Sequence, residues 1–241
     1  MNLLVSDAPK PLVVITGASS GIGLAIAETL SARGHALLLI ARHTKELDLP
    51  NAAYADVDVG DYEALKKAVV DAEAQFGPVD CLINNAGIAD VRPFEKVEPE
   101  DYEREIRTNL LGALNGTKAV YDGMLERKQG TIINISSISD RKTCPVAVGY
   151  TASKYGMRSV SESLREAAAA AGVRVINLSP AYIRTNIHAG MGVTFEEYCE
   201  LLGHPDFMTA EEFADVVRYC YEMPPHLCVR DMVITPTKSS F

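Results

Sequence analysis

Leu12-Val-Val-Ile-Thr16 runs directly into Gly17-Ala-Ser-Ser-Gly21-Ile-Gly23, and this stretch decides the architecture. A short apolar run rich in β-branched residues, with no polar alternation, is the pattern of a strand covered on both faces. Three glycines then join it to a segment in which Ile22, Ile26 and Leu30 recur at helical spacing, up to Arg33-Gly34, where glycine closes the helix. The glycine spacing is Gly-x-x-x-Gly-x-Gly, not the Gly-x-Gly-x-x-Gly of the common dinucleotide fingerprint. The physics is the same. Missing side chains permit a tight turn and let a pyrophosphate approach the helix N-terminus, where free N–H groups and the helix dipole favour an anion. Ser19 and Ser20 add hydroxyl donors.

Outward from this stretch, strand and helix alternate. Further buried strands are predicted over 36–41, 53–57, 79–84, 131–136, 173–178 and 231–235, with Pro9 and Pro11 delaying the first. Helical patterns cover 62–76, 100–128 with a bend near 109–112, 150–171, 195–202 and 209–222. The last opens on Thr209-Ala-Glu-Glu212, a capping box. Segments 42–51, 88–99 and 185–207 are irregular apart from the short helix at 195–202. Buried strands joined by helical crossovers predict an α/β fold with a doubly wound parallel sheet of seven strands, order 3-2-1-4-5-6-7, and helices on both faces. Residues 1–241 are expected to form a single domain. A ligand would bind where the strand order reverses, between the strands ending at Thr16 and Asn84.

The chain has 241 residues, 47% hydrophobic and 23% charged, enough for one sizeable core. A formal charge of −9 without a long basic cluster argues against nucleic acid as a partner. No apolar run approaches the ~20 residues that span a bilayer, and the first ten residues lack the pattern of a signal peptide. Five scattered cysteines without a Cys-x-x-Cys pair point to a reduced, cytoplasmic location without disulfides or structural zinc. No cluster of metal ligands is apparent.

Tyr150-Thr-Ala-Ser-Lys154 places a phenol and an ammonium four residues apart, on one helix face. A close, partly desolvated cation favours the phenolate, and lowering the phenol from about 10 by roughly 2–3 units makes an acid/base for neutral pH. With residues 16–23, Asn84-Asn-Ala-Gly87, Asn109, Ser137 and the Tyr150/Lys154 pair in that order, the chain resembles the short-chain dehydrogenase/reductase family from about residue 12 to 235. The resemblance implies a Rossmann fold and reversible hydride transfer between a nicotinamide cofactor and a carbinol carbon. It assigns the chemistry to Ser137, Tyr150, Lys154 and Asn109. Tyr150 passes the proton, Ser137 holds the substrate oxygen, Lys154 also binds the nicotinamide ribose, and Asn109 holds a water linked to Lys154. Cofactor contacts are implied at Thr16, Gly17, Ser19, Ser20, Gly21, Ile22 and Gly23. Others are implied at Asn85, Ala86 and Gly87, at Tyr150 and Lys154, and at Pro180, Ile183 and Thr185.

The residue ending the second strand faces the adenosine ribose in that family. Here Ala41 replaces an acid and Arg42 follows, a guanidinium that suits a 2′-phosphate. NADP(H) is therefore expected over NAD(H), with His43, Thr44 and Lys45 as weaker assistants. Asp58-Val59 matches the adenine-contacting pair, and Asp56 is the competing alignment. The chain departs from the family at Asp140, where Gly is common, at Pro180-Ala181 in place of Pro-Gly, and in a short second connection. The tail from Arg230 resembles that of NADP-dependent 3-hydroxy acid and serine dehydrogenases, which implies a small hydroxy acid as substrate. A larger aldehyde or ketone, or a nicotinamide-sensing protein without turnover, are the rivals. Arg141, Lys142 and Arg184 are candidates to hold a carboxylate, Arg184 first because it starts the expected lid at about 185–208. The family also implies a homodimer or homotetramer, no membrane and no metal.

Overall fold

The computed structural model describes residues 10–44, 49–185, 187 and 194–238. Strands β1 (Lys10–Thr16), β2 (His35–Ala41), β3 (Ala52–Asp56), β4 (Val79–Asn84), β5 (Gly130–Ile135), β6 (Val173–Pro180) and β7 (Asp231–Ile234) form one sheet. Its order is β3-β2-β1-β4-β5-β6-β7, every pairing parallel, as the sequence predicts. Several boundaries differ by one or two residues, that of the first strand among them. β1 begins at Lys10, so Pro11 lies inside it. Pro11 has no N–H for the ladder, and the pairing with β2 slips between Lys10 and Leu12.

Alternation along the strands sends side chains to two cores. Val13, Ile15, Leu37 and Leu39 pack with Ile26 and Leu30 of α1 (Gly21–Ala32) and with Phe213 and Val217 of α7 (Ala210–Glu222). Leu12, Val14, Leu38 and Ile40 face the other side. There they meet α2 (Tyr62–Phe76), α4 (Gly112–Arg127) and α5 (Val148–Ala169) through Leu65, Val69, Val120, Met124 and Ala168. The expected capping box of α7 is formed, the Thr209 hydroxyl accepting from Glu212 N–H and the Glu212 carboxylate from Thr209 N–H. A second box, Thr194 with Glu197, opens α6 (Phe195–Leu202).

The helix expected to bend near 109–112 is broken into α3 (Pro99–Ile106), a π turn at Arg107–Leu111, and α4. The turn places Asn109 inward and fully buried. Polar side chains also cross the sheet. Asn84 of β4 lies in register with Asn134 of β5, and its amide donates to Asn134 Oδ1 at 2.9 Å and to Thr117 Oγ1 of α4 at 3.2 Å. The Asn134 amide in turn donates to Ser161 Oγ of α5 at 2.8 Å. Among the described residues no helix is long and apolar enough to cross a membrane.

Candidate active site

The strand order reverses between β1 and β4, and their C-terminal loops are locked together. Thr16 Oγ1 accepts from the N–H groups of Asn85 and Ala86 at 3.0 and 3.1 Å, and the Asn85 amide donates to the carbonyls of Thr16 and Gly17 at 3.0 and 3.1 Å. Gly17 has φ +67°, and a Cβ there would come within 2.7 Å of Ala86 Cα. A Cβ at Gly23 would collide with the Gly17 carbonyl. Ser20, at the N-cap of α1, makes no capping bond with its side chain, so the first N–H groups of α1 face the cleft.

A continuous cleft of about 750 Å³ opens above this junction. At one end it is lined by Ala41, Arg42 and His43 with Asp58 and Val59. It passes Gly17, Ser19, Ser20, Gly21 and Ile22 on one side and Asn85, Ala86 and Gly87 on the other, and reaches Tyr150, Lys154 and Thr185. Thr16, Gly23, Pro180 and Ile183 stand behind the wall: the first two shape the loops, Pro180 ends β6, and Ile183 bridges Met208. Asp58 lines the cleft, whereas Asp56 is spent on Thr44, whose N–H and hydroxyl both donate to it at 2.6 Å. Asp58 Oδ1 itself accepts from Gly60 N–H at 2.7 Å. Lys45 lies outside the described residues. Arg42 is exposed and makes no ion pair with the described residues. The walls offer an extended dinucleotide a guanidinium at one end, a helix N-terminus in the middle and the Tyr–Lys pair at the other end.

Tyr150 and Lys154 sit in the first two turns of α5. Lys154 is buried, donates from Nζ to the Ile135 carbonyl at 2.9 Å, and lies 5.6 Å from the Tyr150 ring centroid. Burial lowers its pKa to about 8, with the Asp140 carboxylate pulling it back up. Lys154 is thus charged at neutral pH but only just. Around the phenol, groups other than this lysine act as well. Burial raises the Tyr150 pKa, the Ser137 hydroxyl counters it, and the Glu105 and Asp140 carboxylates raise it further. The ammonium is directed at the Ile135 carbonyl, beneath the ring.

Ser137 is nearly buried, and its hydroxyl accepts from Ser139 N–H at 3.1 Å, capping the short turn Ile138–Asp140. Asn109 accepts from Ile88 N–H at 2.8 Å and donates to the Ile88 carbonyl at 2.9 Å and to Ser153 Oγ at 3.0 Å. Its amide therefore clamps the loop after β4 onto α5. Gly87 lies between it and Lys154: a Cβ at 87 would be 3.4 Å from Asn109 Oδ1 and 3.9 Å from Lys154 Nζ.

Two acids were given no role in the site by the sequence reading. Asp140 is fully buried, and its carboxylate accepts from Arg141 Nε at 2.6 Å, Ser179 Oγ at 2.5 Å and Asn177 Nδ2 at 2.9 Å. Burial pushes its pKa up, but these bonds outweigh that and hold it below the usual carboxylate range. Arg141 continues to Asp231 of β7 at 2.8 and 2.9 Å. Arg141 is therefore committed to two carboxylates, which corrects its expected role as a substrate clamp. Lys142 is exposed, and Arg184 is exposed with its guanidinium carbon 5.0 Å from the Phe195 ring centroid. The other acid, Glu105, lines the cleft while only 1% exposed. Its place four residues before Asn109, on the same helix face, was the available signal. Among the described residues no group of three or more His, Cys, Asp and Glu side chains is placed to hold a metal.

A doubly wound sheet with a dinucleotide-shaped cleft at its switch point defines a nucleotide-dependent oxidoreductase class. The chain belongs to the short-chain dehydrogenase family, whose model, described as short chain dehydrogenase, matches residues 11–193. An uncharacterised oxidoreductase of Listeria monocytogenes is 31% identical over 246 residues, covering 94% of this chain and 96% of its own. An acetoacetyl-CoA reductase of Shinella zoogloeoides is 35% identical over 181 residues, covering 73% of this chain and 75% of its own. Among solved structures, the closed form of a serine dehydrogenase complexed with NADP+ superposes with a TM-score of 0.87 at 28% identity, over 95% of this chain and 96% of that one.

Proposed function

We propose that this chain is an NADP(H)-dependent oxidoreductase that transfers hydride reversibly between the cofactor and a small hydroxy compound, with Tyr150 as general acid/base. The observation that carries the reading is the single cleft joining Arg42 and the N-terminus of α1 to Tyr150 and Lys154. The NADP+ held by the serine dehydrogenase neighbour is consistent with it. The nicotinamide, when bound, supplies or takes the hydride at its C4. The chain does the rest. Arg42 grips the 2′-phosphate, and the α1 N-terminus with Ser19 and Ser20 receives the pyrophosphate. Tyr150 moves the proton at the substrate oxygen, Ser137 donates a hydrogen bond to that oxygen, and the charged Lys154 favours the phenolate. Asn109 keeps the floor of the site fixed against α5.

Cofactor choice is tested at β2. Ala41→Asp with Arg42→Ala is expected to shift the preference from NADPH toward NADH by about 10- to 100-fold, the equivalent of one or two lost charge-assisted hydrogen bonds. Fluorescence titration of both cofactors measures it. A wild type that binds NADH better than NADPH would contradict the reading of Arg42.

For the substrate, the tail that resembles hydroxy-acid and serine dehydrogenases supports a small hydroxy acid. With Arg141 occupied, Arg184 is the carboxylate-holding candidate. Arg184→Ala is then expected to lower kcat/KM on a hydroxy acid by about 30- to 1000-fold while sparing its methyl ester. A second reading, a larger neutral aldehyde or ketone, is favoured by an aromatic cluster; residues 186 and 188–193 of the expected lid lie outside the described residues. Phe207 packs with Phe195, Tyr182 and Tyr198 at ring separations of 5.4, 6.1 and 6.5 Å. Equal loss on acid and ester, or none, selects that reading. NADPH binding without turnover of any carbonyl compound would instead favour a sensor. Association through the α4/α5 face is supported by exposed Leu111, Leu114, Val148 and Tyr155, with a homodimer or homotetramer as the expected states.

A further inference from the structure

Glu105 is an ionisable group that the chemistry above leaves without a task. It lies in the last turn of α3, buried, and lines the cleft that Tyr150 and Lys154 also line. Its Oε1 accepts from Asp90 N–H at 2.7 Å. Its Oε2 presses on Gly149 so closely that a Cβ there would overlap it. Gly149 is in the first turn of α5 and directly precedes Tyr150. That helix starts without a side-chain cap, because Ala147 occupies the N-cap. Uncapped first-turn N–H groups and the helix dipole favour negative charge at this end. One carboxyl thus joins the loop after β4 to the turn that carries the phenol.

We propose that Glu105 is a positioning residue for the reaction: its carboxyl fixes the first turn of α5 against the loop at 88–90, and its charge sets the pH range in which Tyr150 works. The proposal rests on Tyr150 being the acid/base. The charged and titratable groups around Glu105 are Asp101 and Arg104 on α3, Asp90 on the loop, and Tyr150 and Lys154 on α5. Arg92 bonds both Asp90 and Asp101 and moderates their charge. Burial raises the Glu105 pKa to about 7; the Asp90 N–H lowers it, the Asp90 carboxylate raises it, Arg104 lowers it and Asp101 raises it. The carboxyl therefore changes charge near neutrality. Ionised, it raises the proton affinity of Tyr150; protonated, it releases that effect.

Glu105→Gln keeps the shape and an acceptor for Asp90 N–H, and removes the charge. Two readouts separate the ideas. The first is thermal stability against pH and needs no activity. In the wild type the raised pKa means that the folded state binds the proton more tightly than the unfolded state. Its stabilising contribution is complete below the ordinary glutamate value and is lost as pH rises through about 7. The stability of Glu105→Gln relative to wild type should therefore grow between about pH 5 and about pH 8. The second is the pH profile of NADP+ reduction, whose alkaline-rising limb should move down by about one unit in Glu105→Gln. Gly149→Ala keeps the charge but displaces the carboxyl, and should lower kcat about tenfold with little change in KM.

A profile superimposable on wild type, or a uniform fall at every pH, would overturn the proposal and leave Glu105 a structural residue. A folded Glu105→Gln inactive at every pH also overturns it, by placing Glu105 in the chemistry itself. If the variant does not fold, a ¹³C-carboxyl NMR titration of wild-type Glu105 decides: Tyr150 ring signals that ignore its ionisation reject the coupling. If Tyr150→Phe remains active, the acid/base reading fails, while the stability arm still reports whether Glu105 titrates near neutrality.

Discussion

Tyr150→Phe is expected to bind NADPH as tightly as wild type and to turn over about 10²–10⁴-fold more slowly, the usual worth of a positioned general acid/base. The substitution deletes one hydroxyl from a ring that lies over Lys154 Nζ, 5.6 Å from its centroid. The ring keeps its place in the first turn of α5, so the walls of the cleft are unchanged and the cofactor loses nothing that the ring supplied. What disappears is the proton and the bond to the substrate oxygen. Lys154→Ala is the informative partner. Lys154 donates to the Ile135 carbonyl and lines the cofactor cleft, so its loss should raise the Kd for NADPH as well as lower the rate. Equilibrium fluorescence titration alongside single-turnover kinetics distinguishes the two patterns. Activity of Tyr150→Phe within tenfold of wild type removes Tyr150 from its role.

Asp140→Ala should destabilise the fold by about 1–3 kcal/mol, the cost of leaving buried donors without their acceptor. Asp140 is fully buried, and its removal leaves Arg141, Ser179 and Asn177 without the acceptor that organises them. Asp231 remains for Arg141, so part of the network survives at the sheet edge. The same carboxylate anchors the turn Ile138–Asp140, which is capped by Ser137, so the rate should fall with stability. A pH dependence follows with a definite sign. Burial opposes ionisation of Asp140, but its hydrogen bonds win and its folded pKa lies below the unfolded value of 3.8. The stabilisation is therefore present above that value and is lost as pH falls through the lower folded value. Urea denaturation at neutral pH and at about pH 3 measures both effects. An Asp140→Ala variant as stable as wild type would show that the cluster holds the turn without contributing to the fold.

Much of the frame could be read from the chain because its signals are local. The strand from Leu12 to Thr16, the glycines and the helix beginning at Gly21 follow one another without interruption, and the same alternation fixes strand order. Thr209 and Glu212 announce a helix start three residues apart, and they bond as such. The site was legible only in part. Arg141 looks like a loop cation beside Ser137, but its second carboxylate, Asp231, is ninety residues away and reaches it only through the pairing of β6 with β7. Glu105 is one acid among several in Pro-Glu-Asp-Tyr-Glu-Arg-Glu-Ile, and only the packing of α3 on α5 separates it from its solvated neighbours. The phenol's surroundings were legible only in part for the same reason. Spacing puts Lys154 beneath Tyr150, yet it does not reveal that the ammonium faces the Ile135 carbonyl or that the charges of Glu105 and Asp140 act on the phenol.

The amides that cross the sheet bear on how the chain finds its register. Parallel pairing of long-range strands is slow and open to error, because neighbouring alignments of apolar strands bury similar surface. Sliding β5 by one residue along β4 would still match aliphatic side chains. It would also turn Asn134 to the opposite face, away from both Asn84 and Ser161, and leave several amide groups stranded in a dry interior. Each misaligned partner would carry that penalty until it dissociated. The bond between Asn84 and Asn134 thus separates in energy alignments that hydrophobic contact alone would leave nearly equal.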